Sequence, residues 1–343
     1  MVLGTLIIIG SLASCNGKAS LDMPEVPITP LNRVNTHALE GDSLFLSDRP
    51  YDISYSEGEF IFSERGQSTL LITDRQWQPL RRIGQKGDGP REFNYLGSVY
   101  PRGKEYLVHD KGHSRIVSID RDGNWVNEWK YEVLSTPVIN FAIARDSSFL
   151  LMTPEKDEPI VSLPFDGASP KRFERKVDNP WNSHHATRAN AGFIFTLESS
   201  IVIMPPFDKT IEVLDEQFRK IGSLALTDIS VFDKSLTRAG ELYSKSNNRA
   251  IQFYRDVCQS GNEFYLLIYE DYKDLETGAW KRKANKILHL SVDGPENSTI
   301  SQKGLYQLRE EAYYTQIIVV EQKLYAFENN AFQIHEFDLP QGQ

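Results

Sequence analysis

Several things are missing from this sequence, and each absence narrows what the chain can be. Only two cysteines, Cys15 and Cys258, occur in 343 residues, and they do not form a Cys-x-x-Cys pair. Basic residues are outnumbered: 38 Lys and Arg stand against 47 Asp and Glu, for a formal net charge of −9. Binding to nucleic-acid phosphates needs a local excess of Lys and Arg that releases counterions, so no nucleic-acid partner is expected. A nucleotide P-loop, His-Glu-x-x-His and Gly-x-Ser-x-Gly are also missing, which removes the positive evidence for catalysis and for any cofactor. The one markedly apolar N-terminal run, Leu6-Ile7-Ile8-Ile9, falls far short of the ~20 residues that cross a bilayer.

What is present begins with that run. Residues 1–14 carry no charge, and the run reads as the core of a signal peptide. It leads into Leu12-Ala13-Ser14-Cys15, which resembles the bacterial lipobox, where small residues permit cleavage before a cysteine that receives lipid. The n-region departs from the pattern in having no Lys or Arg. If Cys15 is acylated, Cys258 is the only thiol left and no intramolecular disulfide can form. Cys258 follows Phe253-Tyr254-Arg255-Asp256-Val257 in a strand-like run and reads as a buried small hydrophobe. Residues 16–32, with Pro24, Pro27 and Pro30, favour extended polyproline geometry and read as a tether between a membrane and a domain spanning residues 33–343.

Apolar content of 40% and aromatic content of 11% are enough for a sizeable core, and periodicity decides its architecture. Alternating runs such as Thr69-Leu70-Leu71-Ile72-Thr73, Arg115-Ile116-Val117-Ser118-Ile119-Asp120, Thr210-Ile211-Glu212-Val213-Leu214-Asp215 and Gln333-Ile334-His335-Glu336-Phe337-Asp338 recur. With two further runs, at Ile160 and Ile287, they are spaced roughly 44–51 residues apart, apart from one interval of roughly 76. Each follows a second apolar run, for example Phe149-Leu150-Leu151-Met152 or Ile201-Val202-Ile203-Met204. Six occurrences predict an all-β chain forming a six-bladed β-propeller. The sixth blade runs out at Pro340, and the surplus strand at residues 36–46 is expected to complete it and close the ring. The long interval predicts a short helix over residues 233–246 and a long hairpin over residues 270–284.

Residues 82–123 hold the clearest unit. They comprise Gly84-Gln85-Lys86-Gly87-Asp88-Gly89-Pro90-Arg91-Glu92-Phe93, a strand, the His109-Asp110-Lys111-Gly112-His113 hairpin, Arg115-Ile116 and the Asp122-Gly123 turn. This order resembles the NHL repeat, which implies a structural role for Arg115 at the blade edge. The glycines can permit positive φ, and Phe93 can fill a gap between blades.

Antiparallel blades send the second-to-third-strand loops and the blade-to-blade loops to one face. The long segments at 85–93, 178–190, 225–250 and 270–284 all fall on that side, and tight turns fall on the other. Candidate ligand-binding residues on the long-loop face are Lys86, Asp88, Arg91, Trp181, His184, His185 and Trp280. A Trp beside amides and imidazoles can stack on a sugar or peptide. No carboxylate cluster adjoins His184 and His185, so no metal site is expected there. His109 and His113 read as solvated turn residues, and the mixed charges of 270–283 as self-paired.

With the lipobox, residues 33–343 resemble the six-bladed, TolB-like propeller lipoproteins of Gram-negative bacteria. Gly84 to Phe93 and His109 to Gly123 carry the resemblance. It implies an envelope protein, lipid-anchored and periplasm-facing, that binds a protein, peptide or glycan without catalysis. The alternative is a metal-dependent, lactonase-like hydrolase or lyase, whose site would need Asp, Asn, Glu or His residues converging in the central channel.

Overall fold

Two short strands, β1 (Ile28–Pro30) and β2 (Arg33–Ala38), precede the first blade but belong to the last two. The computed structural model describes residues 27–38, 46, 49–131, 140–153, 158–175, 192–244, 251–294 and 298–340. Blade one is β3 (Pro50–Ser56), β4 (Glu59–Glu64), β5 (Thr69–Thr73) and β6 (Pro79–Ile83). Blade two follows with β7 (Leu96–Arg102), β8 (Glu105–Asp110), β9 (Arg115–Asp120) and β10 (Trp125–Lys130). Blade three holds β11 (Phe141–Ile143), β12 (Ser148–Met152), β13 (Ile160–Pro164) and β14 (Lys171–Phe173). Blade four holds β15 (Phe193–Thr196), β16 (Ser200–Met204), β17 (Thr210–Asp215) and β18 (Lys220–Ala225). Blade five is β19 (Tyr254–Ser260), β20 (Glu263–Lys273), β21 (Trp280–Asp293) and β22 (Thr299–Gln307). Blade six supplies β23 (Tyr314–Val320), β24 (Lys323–Glu328) and β25 (Gln333–Asp338). The chain is a six-bladed β-propeller, each blade an antiparallel sheet ordered outward from its first strand.

Closure comes from β2, which pairs antiparallel with β25 from Arg33↔Phe337 to Ala38↔Gln333. The closing strand therefore lies earlier than the expected 36–46. Asn35 and His37 both reach the Glu336 carboxylate at 3.1 Å, which fixes the register with polar contacts in place of apolar ones. Within the segment that composition reads as a tether, β1 adds a parallel fifth strand to blade five, Ile28↔Leu305 to Pro30↔Gln307. The extended geometry favoured by Pro27 and Pro30 is already close to a strand, and an edge position tolerates the missing proline N–H.

The second and third strands are continuous apolar runs because each lies between two neighbouring blades. Along β4, Phe60 and Phe62 pack toward blade six while Ile61 packs toward blade two. On β8, Tyr106 and Val108 face blade one and Leu107 faces blade three; on β12, Phe149 and Leu151 face blade two and Leu150 and Met152 face blade four. Each such side chain, fully buried, contributes roughly 1.5–3 kcal/mol. A charge placed there would disrupt a seam between blades, and no single blade has a core of its own.

The expected helix is present as α1 (Asp233–Ser244) between blades four and five. Ser235 donates to Asp271 at 2.7 Å, and Arg238 and Arg282 converge on the same buried carboxylate. The helix is thereby tied to the long β20–β21 hairpin.

Candidate functional site

The first strands of the blades, β3, β7, β11, β15, β19 and β23, surround the central channel. One position recurs at the head of each, just before a residue of the channel wall: Asp52, Ser98, Asn140, Phe193, Asp256 and Gln316. All six line a single cavity of about 220 Å³ at the channel mouth. Below it the channel continues as a cavity of about 630 Å³ reaching the short turns of the other face. The strand register shifts between Pro50 and Asp52, Leu96 and Val99, Tyr254 and Asp256, and Tyr314 and Gln316. A bulge of this kind re-aims a side chain, and here it does so at the same level in four blades.

Alternate members of the ring tie neighbouring blades together. Asp52 accepts the Val99 N–H at 2.9 Å, Asn140 accepts the Ile194 N–H at 2.8 Å, and Asp256 accepts the Ile317 N–H at 2.8 Å. Asn140 also donates to the Ile194 carbonyl at 3.0 Å. Blades one and two, three and four, and five and six are therefore joined in pairs at the axis. Burial pushes the Asp52 carboxyl up to about 6, against the pull of the Val99 and Ile53 amides. Burial pushes Asp256 up to about 7, with the nearby Asp52 charge adding to it.

Above these carboxyls the same cavity is lined by Arg49, Arg65 and Arg255. Burial works against the Arg255 charge, yet its pKa is raised because the Tyr269 and Tyr313 hydroxyls and Asp256 outweigh it. Arg65 is exposed and lies 4.7 Å over the Tyr95 ring. Tyr51 packs edge-on to Tyr95, and Lys111 donates to the Tyr51 hydroxyl at 2.7 Å. Burial, with Arg65 nearby, lowers the Lys111 ammonium to about 7. Arg49 and Arg65 also line an adjoining groove of about 450 Å³ with Asn329 and Phe332. The mouth is thus a cationic collar over a floor of two protonatable carboxyls.

The mouth opens on the face that carries the long loops. Lys86, Asp88 and Arg91 are exposed on the blade-one-to-two loop of that face, outside the cavity itself. Asp88 accepts from Asn94 at 3.1 Å and meets His113 at 3.2 Å, and Arg91 has φ +65°. Trp280 is half-buried, and its indole N–H donates to Glu241 of α1 at 2.8 Å. Cys15, Trp181, His184 and His185 lie outside the described residues.

The glycine loop is tied inward. Phe93 is fully buried and stacks on Trp125, 5.3 Å between centroids, while Gly84 has φ +83° and a Cβ there would sit 2.5 Å from the Phe93 ring. Arg115 binds Asp110 at 2.9 Å, the Glu92 carbonyl at 2.8 Å and Glu128 at 3.1 Å, bridging loop, turn and outer strand. Its expected structural role is visible in these contacts. The expectation of solvated histidines fails for His109, which is fully buried and pairs with the Tyr131 hydroxyl at 2.7 Å. Burial holds its pKa well below the usual imidazole value, with Lys111 adding to the effect. His113 is only partly exposed, held at 2.7 Å by Asp110. Cys258 is buried, with its thiol pushed up to about 12 by burial, and its sulfur accepts the Val319 N–H at 3.2 Å. In the hairpin, Lys281 pairs with Asp274, Arg282 with Asp271 at 2.8 Å and Lys283 with Glu270 at 3.7 Å. Among the described residues no group of three or more His, Cys, Asp and Glu stands close enough to hold a metal ion.

Neither a protein-family model nor a curated protein matches this sequence. Solved structures do match it in fold. A member of the DUF4221 family from Bacteroides vulgatus has a TM-score of 0.58 at 16% identity, covering 92% of this chain and 98% of that one. A protein from Bacteroides fragilis, named as a candidate exported protein, has a TM-score of 0.56 at 12% identity, covering 92% and 99%. A catalytically inactive virginiamycin B lyase from Staphylococcus aureus, solved with quinupristin, has a TM-score of 0.52 at 12% identity, covering 86% and 83%. At such identities these likenesses show the fold and nothing finer.

Proposed function

We propose that this chain is a bacterial envelope protein, lipid-anchored through Cys15 and facing the periplasm, that binds a protein, peptide or glycan with its long-loop face and performs no catalysis. The observation that carries the binding reading is the channel mouth: Arg49, Arg65 and Arg255 line a cavity at the blade-to-blade-loop end of the axis. A cavity framed by loops on a rigid ring is the arrangement that binding surfaces use. The signal-peptide pattern supports export, and the name of the Bacteroides fragilis neighbour is consistent with it.

The test compares the two faces. Envelope extract is passed over the immobilised protein, and the retained component is measured for Arg91→Ala and Lys86→Ala on one side and Asp122→Lys and Glu216→Lys on the other. Loss of retention only in the first pair, with melting temperatures unchanged, supports the reading. Loss only in the second pair overturns it.

A further inference from the structure

The mouth and the groove beside it share Arg49 and Arg65 in their linings, so they adjoin as a concavity reaching from the axis to Phe332. Among the described residues, neither Arg65 nor Arg255 has a carboxylate within ion-pair distance; Arg65 stacks on Tyr95, and Arg255 leans on tyrosine hydroxyls. For the half-buried Arg255 a guanidinium without a carboxylate partner is costly by itself, and either guanidinium is matched best by a planar anion taken bidentately. Ser98 also lines the cavity, and among the described residues its buried hydroxyl has no hydrogen-bond partner.

We propose that this concavity holds the acidic end of an oligosaccharide, with a uronic-acid-type carboxylate on Arg65 and Arg255 and the adjoining sugar against Phe332. The inference rests on the binding role proposed above and specifies its ligand. Gln252 and Asn329 supply amides, each able to donate and accept, which suits the paired hydroxyls of a sugar. The apolar side chains that line the mouth are Pro50 and Phe193, beside the Tyr51 ring.

Titration calorimetry on the full-length protein in detergent tests this with digalacturonate, the neutral disaccharide digalactose and the acidic dipeptide Glu-Glu as probes. Digalacturonate is expected to bind and the two others to bind at least about tenfold more weakly, the scale of one charged hydrogen bond. Arg65→Gln should weaken digalacturonate about tenfold, and because Arg65 is exposed the fold should be unaffected. Arg255→Gln should do the same if its melting temperature is kept. No digalacturonate binding, equal binding of the dipeptide, or unchanged affinity in Arg65→Gln overturns the proposal. If digalacturonate fails while retention of the envelope component still depends on Arg91, the long-loop face keeps its role and the acidic-sugar site is discarded.

Discussion

Asp52 of blade one and Val99 of blade two are joined at 2.9 Å, carboxylate to backbone amide, across the innermost seam of the ring. The same relation recurs for Asn140 with Ile194 and Asp256 with Ile317, so the axis is held as three pairs of blades. Asp52→Ala would leave the buried Val99 amide without an acceptor and should cost about 1–3 kcal/mol in denaturant unfolding. Asp52→Asn keeps an acceptor oxygen and should recover most of that loss. Equal stability of the two variants would contradict the role of this bond.

Asp256 should make stability depend on pH. Its carboxyl is pushed up to about 7 by burial, against the pull of the Ile317 amide and with Asp52 adding; Arg255, Tyr51 and Cys258 are the other titratable groups coupled to it. An unfolded aspartate titrates near about 3.9, so between about pH 4 and 7 the folded chain retains a proton that the unfolded chain has lost. That contribution is full below about pH 4 and is lost as pH rises through about 7. Asp256→Asn removes the titration. Its melting temperature is expected to exceed that of the unaltered protein most at pH 8 and least at pH 4, and a difference independent of pH would contradict the assignment.

Ring closure can be tested by truncation. A chain beginning at residue 32 loses β1, an edge strand, and should melt within a few degrees of the full protein. A chain beginning at residue 39 also loses β2 and leaves β25 with an open edge. It should aggregate or melt far lower. Matching melting curves for the two truncations would show that β2 does not close the ring.

The blades were legible in the sequence because their second and third strands are buried on both sides and must be continuous apolar runs, as at Phe149-Leu150-Leu151-Met152. The closing strand starts earlier than expected because Asn35 and His37 hold its register through polar contacts with Glu336, so it carries no apolar pattern. The channel mouth was missed for a related reason. The first strands mix polar and apolar residues, and Asp52, Asn140 and Asp256 look like ordinary surface residues until the repeats are aligned on them. Their shared position, one residue before Ile53, Phe141 and Val257, was the available signal. His109 was misjudged because its neighbours Asp110 and Lys111 suggest a solvated turn, whereas the β8 alternation turns it inward against Tyr131.

Cys15→Ala should abolish fatty-acid labelling and leave an unprocessed or soluble product, since the lipobox-like sequence presents one acylation site. Unchanged labelling and unchanged membrane fractionation would remove the anchor from the account.

The central claim, that ligand is held on the long-loop face, is tested most directly by photo-crosslinking in intact cells. A benzophenone amino acid is placed at position 86 or 91 on that face and at position 122 or 216 on the short-turn face, all four being exposed sites. A discrete adduct is expected from 86 and 91 and none from 122 and 216. Adducts from 122 and 216 alone would contradict it.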